Sequence, residues 1–334
     1  MESTLPTVSV VVPAYNAEGT IAPLLESLLG IDYPDFEIIV VDDGSTDSTK
    51  AIAARYPLRL IERPHRGASA ARDAGLRASQ EDIVAYVDSD VTVTRDWLTK
   101  LVQPFASPGI AATTGRTIFR RSDKCTSWVR SLDIERRNAG RRTFTRLANG
   151  PNSAFRRSVL LEVGGFDPSW YHAEDTEVSY RICQRGYVIQ YVPDSIVYHV
   201  PEEDWRKFLR KRYRDARAFT RMLATYPRTA ILEDDFVTFG MKVQPPIYLA
   251  ALLLGILAAV STATSFALPV ILALAGVLAV ALLLNVPESV AIAQASGRVS
   301  FFFKGLVLGT LRGFVWAAGL GIGGLRQTLT KAAA

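Results

Sequence analysis

Two aspartates one residue apart close an apolar run of the chain and carry its clearest chemical signal. Asp88 and Asp90 flank Ser89 directly after the apolar stretch 83–87. Because alternate side chains of a strand point to the same face, the two carboxylates can aim at one point. Paired anionic oxygens suit a divalent cation such as Mn2+ or Mg2+, which commonly also takes phosphate oxygens. Acidic pairs at strand ends also serve as turn or cap residues, so this pattern alone leaves both interpretations open.

Two further polar residues follow apolar runs and are expected near this aspartate pair. Tyr15 comes soon after the run 8–12, and Asp43 follows the run 36–41. Apolar strands that alternate with helices indicate an α/β domain with a mainly parallel, Rossmann-like sheet covered on both faces. Ligands of such sheets bind beyond the carboxyl ends of the strands. The sequence therefore predicts that these side chains converge on one crevice.

The elements that must position these residues can be placed along the first two hundred positions. Strands are predicted at 8–12, 36–41, 58–61, 83–87, 188–192 and 196–199, with an edge strand at 151–155. Helices are predicted at 18–29, 47–55, 68–78, 157–163 and 174–185. The Arg-rich segment 118–146 lacks a regular period and is expected to be irregular. We assign residues 1–202 to this α/β domain.

The composition changes after this domain, since no charged residue occurs between 243 and 287. Apolar stretches near 245–261, 266–286 and 303–325 predict a membrane region at 243–326 with about three helices. The third stretch carries Arg312, but its small residues recur every four positions, which lets helices approach closely in lipid. We favour a spanning helix there, and the alternative is a re-entrant or in-plane helix.

Cysteine content and the first residues indicate on which side of a membrane the α/β domain lies. Cys125 and Cys183 are far apart and show no metal-ligand spacing, which favours a reducing compartment over a disulfide framework. The chain starts without a secretory signal pattern, so we expect a multi-pass protein of the cell membrane with a cytoplasmic α/β domain. The positive-inside rule is obeyed only weakly, because three spans would place Arg326 and Lys331 outside.

A basic segment joins the two parts, within 203–242. Between 203 and 224, eight Lys or Arg residues stand against three acids, and apolar residues recur at helical spacing. This pattern is typical of an amphipathic helix in a membrane interface, although a helix packed on the α/β domain shares it. No nucleic-acid-binding motif is present, so we expect anionic lipid as the partner and no nucleic acid. The sequence does not indicate an oligomeric state.

Six short segments, taken in order, resemble the family-2 glycosyltransferases, which are inverting enzymes with the GT-A nucleotide-sugar fold. The resemblance covers roughly residues 7–200. Each segment is weak evidence by itself, but their shared order makes a chance match improbable. The matching segments are 8–16, 41–47, 67–75, 88–90, 164–167 and 174–175.

The resemblance implies how a nucleotide-sugar donor would be held on the side of its base. Pro13, Ala14 and Tyr15 would form the wall of the base pocket. Asp43 would accept a hydrogen bond from the base, with Glu18 as a less certain neighbour. A UDP-sugar is favoured as the donor and a GDP-sugar is possible.

The resemblance also implies the residues around the donor's ribose and diphosphate. Arg72 would approach this part of the donor, although an exposed helical arginine is the alternative. Asp88 and Ser89 would face the ribose or the sugar, and Asp90 would hold the metal. His199 stands where some relatives place a further metal or phosphate contact, and a structural histidine at a strand end is the alternative.

On the acceptor side, the resemblance implies that Asp175 is the catalytic base. Glu174, Asn152 and Asp167 would position the acceptor. The alternative for Glu174 and Asp175 is a pair of ordinary acids in the first turn of a helix.

The basic segment carries a further implied contact. Arg210 and Arg212 stand where processive relatives grip the diphosphate and the chain terminus, but the Gln and Trp of that signature are missing here. We therefore expect transfer of a single sugar to a lipid-linked acceptor, either a polyprenyl phosphate or a lipid-linked glycan, at the cytoplasmic face. The alternatives are a processive polysaccharide synthase and an inactive homologue that acts as a membrane scaffold.

Overall fold

A computed structural model describes residues 5–227, 239–260 and 267–332 of the chain. Within these ranges the chain forms two compact units. The first unit contains 5–120 and 134–200, and the second contains 121–133, 201–227, 239–260 and 267–332. The sequence analysis placed one boundary near 202 and did not foresee that 121–133 belongs with the C-terminal part.

The first unit is built on a mixed sheet whose strands run in the order β3-β2-β1-β4-β8-β6-β9-β5, with β7 paired to β9. Neighbouring strands are parallel from β3 to β4, whereas β8 is antiparallel to both β4 and β6. The strands are β1 Val8–Ala14, β2 Phe36–Asp42, β3 Arg59–Glu62, β4 Ile83–Tyr86, β5 Val91–Val93, β6 Ile110–Phe119, β7 Phe144–Thr145, β8 Ser153–Arg156 and β9 Val188–His199.

Helices cover both faces of this sheet, as its mainly apolar central strands require. Along β1, the side chains of Val10 and Val12 enter one buried cluster, whereas Val11 enters a second cluster on the opposite face. This alternation follows from the two-residue period of a strand. The helices of this part of the chain are α1 Ile21–Leu29, α2 Thr49–Ala53, α3 Ala68–Ala78, α4 Trp97–Val102, α5 Cys125–Ala139, α6 Arg157–Glu162 and α7 Glu174–Gln184.

Two predictions for the middle of the chain are wrong. The predicted edge strand 151–155 corresponds to β8, which lies in the interior of the sheet between β4 and β6. The segment 118–146 was expected to be irregular, but it includes the end of β6 and all of α5. β6 lacks a continuous run of large apolar residues because its positions are crowded. A Cβ atom on Gly115 would lie only 2.2 Å from Nδ2 of Asn152.

The second unit is helical and contains α8 Trp205–Thr225, α9 Phe239–Val260, α10 Ala267–Ser296 and α11 Ser300–Ala332. By length and composition, two of its helices could cross a membrane, α10 over its full length and the 300–325 part of α11. α9 contributes a shorter apolar stretch, Gln244–Val260. Residues 261–266, between α9 and α10, lie outside the described residues.

Small residues of α11 make the close helix contacts that the sequence predicted. A Cβ atom on Gly309 would lie 2.6 Å from Oδ1 of Asn285 in α10, and one on Gly313 would lie 2.2 Å from the ring of Tyr248 in α9. The three helices therefore pack so closely at these two positions that no larger residue fits.

Candidate active site

The polar residues that follow β1, β2 and β4 lie at one edge of the sheet. These three strands are adjacent and parallel, so Tyr15, Asp43 and Asp88 follow strand ends that point the same way. Backbone hydrogen bonds continue the pairing past the strands, with the amide of Asp43 donating to the carbonyl of Ala14 at 2.8 Å. The three residues therefore lie at one edge of the sheet, and the convergence of their side chains on one crevice stays a prediction.

Three side chains at this edge form a cluster that could hold a metal ion. One ligand atom from each of Asp88, Asp90 and His199 lies within 4.8 Å of the others. β5 pairs antiparallel with the end of β9, and the amide of Val200 donates to the carbonyl of Asp90 at 2.9 Å. This pairing fixes the histidine beside the aspartate pair, although the two are more than one hundred residues apart in the sequence.

The environment of His199 fits a cation in this cluster. The ring is buried, stacks on Phe119 at 4.2 Å between centroids, and has Nδ1 3.0 Å from the carbonyl oxygen of Val200. Because a carbonyl can only accept, Nδ1 carries a proton, and in the neutral ring Nε2 then presents a lone pair. Nε2 lies 3.3 Å from Oδ1 of Asp90, so two acceptors face each other. A divalent cation or a proton relieves this contact, and imidazole with two carboxylates suits Mn2+.

Arg72 is buried at the centre of the acidic residues, which excludes the alternative of an exposed helical arginine. Its guanidinium lies 2.5 Å from Oδ1 of Asp88 and also pairs with Glu174. Although burial works in the opposite direction, these two carboxylates raise the pKa of Arg72 above its ordinary value. Arg72 therefore stays charged and connects Asp88, which follows β4, with Glu174 at the start of α7.

The first turn of α7 presents Glu174 and Asp175 from a strained backbone. Ala173, the residue before the helix, has a positive φ of 61°, a left-handed conformation that costs energy for a residue with a side chain. Glu174 is buried, and this burial raises its pKa to about 7, with Asp175 adding to the effect and Arg72 opposing it. The site therefore holds one carboxyl group that titrates close to neutral pH.

Asp175 is oriented by the backbone of the loop before β8. Its Oδ2 accepts a hydrogen bond from the amide of Gly150 at 2.9 Å. A Cβ atom on Gly150 would lie 2.8 Å from the guanidinium of Arg72, so only glycine fits between the arginine and the aspartate. Asn149 anchors this loop, because its Oδ1 accepts from the hydroxyl of Thr114 in β6 at 2.7 Å. The sequence analysis missed Thr114 and Asn149, for which no local pattern exists.

The buried carboxylate of Asp43 has several partners within the chain, and its predicted contact with a base stays a prediction. Its buried carboxylate accepts from the amide of Gly67 at 2.7 Å and pairs with Arg63 at 3.2 Å and with Nδ1 of His65 at 2.9 Å. These partners hold the loop 63–67. Asp42 has a buried Oδ1 for which the described part of the chain offers no hydrogen-bond partner.

His65 is a residue of this region that the sequence analysis did not single out. Its ring stacks on Tyr15 with a centroid distance of 4.0 Å and an interplanar angle of 22°. Tyr15 is half exposed, beside the partly exposed Pro13 and the buried Ala14. The 4.0 Å spacing leaves no room for a flat base between the rings. A base would contact the outer faces or displace His65.

Three other predicted site residues serve the framework in this structure. Asn152 is fully buried and accepts from the indole of Trp97 at 2.9 Å, and its predicted part in positioning an acceptor stays a prediction. The Asp167 carboxylate accepts from the amide and the hydroxyl of Ser169, which shapes its own turn. The Glu18 carboxylate accepts from the amide of Ser48 at 3.1 Å, just before α2.

The remaining predicted residues lie apart from these contacts. Ser89 is partly exposed between the two aspartates. On α8, Arg210 is exposed, whereas Arg212 is buried and pairs with Asp215 at 3.1 Å. Of these two arginines, Arg210 has the side chain that remains open to a ligand.

Comparison with known proteins identifies the family of this chain. The family description "Glycosyl transferase family 2" matches residues 9–164. Glycosyltransferase AglE of Haloferax volcanii is 30% identical over 231 residues, which are 64% of this chain and 73% of that protein. The pre-mycofactocin glycosyltransferase of Mycobacterium tuberculosis is 31% identical over 219 residues, or 61% of this chain. The chain spans only 45% of the length of that second relative.

Solved structures share the fold. The mannosyltransferase PcManGT of Pyrobaculum calidifontis, in complex with GDP-Man and Mn2+, superimposes with a TM-score of 0.64 at 24% identity, covering 97% of this chain and 88% of that one. GalNAc-T7 with UDP, GalNAc and Mn2+ gives a TM-score of 0.51 at 20% identity over 66% of this chain and 51% of that one. At these identities the likeness concerns the fold alone. By its sequence relatives and by the architecture of its first unit, the chain belongs to glycosyltransferase family 2 and has the GT-A fold.

Proposed function

We propose that this protein is a membrane-anchored, metal-dependent, inverting glycosyltransferase. It moves one sugar from a nucleotide-diphosphate sugar to a lipid-linked acceptor at the cytoplasmic face of the membrane. The observation that carries the proposal is the joined cluster around Arg72. The metal-type group of Asp88, Asp90 and His199 connects through Arg72 to the acids that open α7.

A divalent cation held by Asp88, Asp90 and His199 would neutralise the negative charge that develops on the leaving diphosphate. Arg72 supports the same task from the protein side. Its planar guanidinium is fixed by two carboxylates and remains charged, which is what recognition of phosphate oxygens requires. No general acid is then needed for the leaving group.

In this proposal Asp175 accepts the proton of the acceptor hydroxyl. A single displacement with inversion needs one carboxylate on the acceptor side as general base. The amide of Gly150 fixes one oxygen of Asp175, and the strained residue Ala173 holds the start of the helix. Glu174 pairs with Arg72 and acts as a positioning residue beside the base.

We favour a UDP-sugar as the donor, and a GDP-sugar is the second candidate. Tyr15 and His65 offer aromatic faces to the base, and such stacking does not discriminate strongly between bases. GalNAc-T7 is described with UDP, whereas PcManGT is described with GDP-Man. Both complexes contain Mn2+, which makes this ion the first choice for assays.

The lipid nature of the acceptor is supported by the second unit. Two of its helices are long and apolar enough to cross a membrane, and α8 exposes cationic side chains that include Arg210. A soluble acceptor would not require either feature. An anionic polyprenyl phosphate head would be attracted by the exposed arginines of α8.

The test is to incubate the purified full chain with Mn2+ and a panel of UDP- and GDP-sugars, with and without polyprenyl phosphate. The expected result is transfer of a single sugar into a product that partitions into organic solvent. A product found only in water would reject the lipid acceptor, and a product with many sugars would support a processive synthase instead. If no donor binds with any metal, the inactive-scaffold alternative gains support.

A further inference from the structure

α8 and α11 of the second unit lie side by side along their lengths. A Cβ atom on Gly319 would lie 2.7 Å from Cβ of Ala216, and one on Gly323 would lie 2.7 Å from the hydroxyl of Thr220. Gly323 lies one turn after Gly319 on α11, and Thr220 lies one turn after Ala216 on α8. The contacts therefore advance in the same direction along both helices, which run parallel and in close contact. The rings of Phe219 and Trp316 add a contact at 6.0 Å.

The face of α8 turned away from α11 is cationic. Phe208 and Ala216 lie on the buried side of α8. Five basic side chains on the opposite side are exposed: Arg206, Lys207, Arg210, Lys211 and Arg214. α8 is therefore an amphipathic helix whose apolar side is covered by protein and whose charged side is open.

This pairing decides between the two positions that the sequence left open for the last apolar stretch. If α11 crossed the bilayer between 303 and 325, the part of α8 that contacts Gly319 and Gly323 would enter the hydrocarbon with it. Arg214 would enter as well, because it is exposed two residues before Ala216. Charged side chains in the hydrocarbon are costly and are found facing a protein interior or a water-filled cavity, whereas Arg214 is exposed among the described residues.

α11 has the surface expected of a helix that lies along a membrane. Its exposed apolar side chains share one side of the helix, at spacings that match the helical period, and they are between 39% and 66% exposed. They extend over about 33 Å of the helix axis. These side chains are Phe303, Val307, Leu311, Ile322 and Leu325. The ion pair of Arg312 with Glu288 of α10, at 2.6 Å, adds a polar group within this length.

α9 and α10 have the surface of a hairpin that enters the hydrocarbon. Both expose large apolar side chains, such as Leu253 and Ile256 on α9 and Leu268 and Leu272 on α10. Tyr248 of α9 donates to the carbonyl of Ala281 in α10 at 3.2 Å, which holds the two helices together. A hairpin adds either two crossings or none, so it returns the chain to the side from which it entered.

We propose that α8 and α11 lie together in the plane of the membrane surface and that only the α9–α10 hairpin enters the hydrocarbon. The cationic side of α8 then meets anionic lipid headgroups, and the C-terminal residues stay on the same side of the membrane as the first unit. This arrangement also removes the conflict over Arg326 and Lys331, which no longer lie outside. The inference rests on the membrane association proposed above and not on the transfer of sugar.

Cysteine labelling of the full chain in bacterial cells tests the inference. In a background with Cys125→Ser and Cys183→Ser, one variant carries Thr330→Cys and a matched control carries Gln80→Cys, which is exposed in the first unit. A membrane-impermeant maleimide is applied to intact cells and to inside-out vesicles. The expected result is that both cysteines react in the same preparation. Reaction of Thr330→Cys in one preparation and of Gln80→Cys in the other would overturn the inference.

Two further measurements keep the result independent of the substitutions and of the proposed function. Green fluorescent protein and alkaline phosphatase fused after residue 334 report the side of the C terminus in the unaltered chain, and fluorescence with an inactive phosphatase is expected. Active phosphatase with Gln80→Cys facing the cytoplasm would overturn the inference. Cell fractionation reports membrane association separately. A chain absent from the membrane fraction overturns both proposals, whereas a membrane-bound chain with a translocated C terminus overturns only the in-plane arrangement.

Discussion

Two glutamates, the buried Glu174 in the first unit and the partly buried Glu202 in the second, have opposite surroundings. Glu174 lies beside Asp175 and shares a single arginine, Arg72, with Asp88. Glu202 faces an excess of cations instead, with Lys211 at 3.1 Å as the nearest, followed by Arg130 and Arg212. Glu174 therefore shares one cation with a neighbouring acid, whereas Glu202 faces three cations, two of which also pair with Asp133 and Asp215.

The pKa values of the two glutamates reflect this difference in their surroundings. Burial raises the pKa of Glu174 to about 7. Although burial opposes the change, Lys211, Arg130 and Arg212 lower the pKa of Glu202 to about 2. An acid-rich cluster keeps charge that protein cations do not compensate, so it is suited to a metal ion or a proton. A carboxylate that faces several protein cations is satisfied internally and stabilises the fold.

The largest expected effect comes from neutralising the proposed base. Asp175→Asn should lower turnover by roughly 10²–10⁴-fold, because the acceptor hydroxyl loses its general base. Donor binding, measured by calorimetry with Mn2+, should stay unchanged, since the amide of Asn still accepts from Gly150. The matched control is Glu162→Gln, an exposed acid of the same unit, for which near-normal turnover is expected. Near-normal turnover in Asp175→Asn would remove this residue from the base role.

The second effect concerns the metal-type group. Asp90→Ala should raise the Mn2+ concentration needed for half-maximal donor binding by at least roughly tenfold. The reason is that one of the three candidate metal ligands, an anionic one, is lost. Titration of Mn2+ at fixed UDP measures this change. Asp32→Ala removes an exposed carboxylate of the same unit and should leave the titration unchanged. The same midpoint in Asp90→Ala and in the parent would contradict the assignment.

The third prediction compares the two glutamates directly through the pH dependence of stability. Glu174 has a folded-state pKa above its ordinary 4.5, so its contribution is present below pH 4.5 and is lost as the pH rises to about 7. As the pH rises from 4.5 to about 7, the unfolding free energy of Glu174→Gln should therefore increase by up to about 3 kcal/mol relative to that of the parent.

Glu202 should show the opposite sign in a different window. Its folded-state pKa lies below 4.5, so its contribution is present above pH 4.5 and is lost as the pH falls to about 2. Glu202→Gln should lose up to about 3 kcal/mol relative to the parent above pH 4.5. Denaturant unfolding at a series of pH values measures both variants. If the unfolding free energies of the two variants changed with pH in the same way, the charge surroundings of the two glutamates would not differ as described.

The smallest effect concerns the aromatic pair at the base side. His65→Ala should weaken UDP binding by roughly two- to tenfold without changing turnover at saturating donor, because one aromatic surface is lost. Phe144→Ala removes an exposed ring elsewhere in the unit and serves as the control. Unchanged affinity in His65→Ala would limit the donor site to Tyr15 and to the acid-rich cluster.

Local patterns predicted much of the first unit. The strands that end before Tyr15, Asp43 and Asp88 are mainly apolar, with Ser9 in β1 and Glu37 in β2 as exceptions, and such runs indicate buried strands. The same local rule failed for β6, whose small and polar residues fit a crowded position beside Asn152. Such crowding depends on residues far away in the chain and leaves no periodic signal.

The sequence by itself determined the residue types of the site, the α/β class of the first unit and the apolar character of the C-terminal part. Only the tertiary structure brought His199 to Asp90, enclosed Arg72 between two carboxylates and turned Asp43 toward its own loop. It also packed α8 along α11, which a hydropathy pattern cannot express. The physical reason is that hydropathy and periodicity describe each element alone, whereas charge balance, burial and membrane position depend on which elements pack against each other.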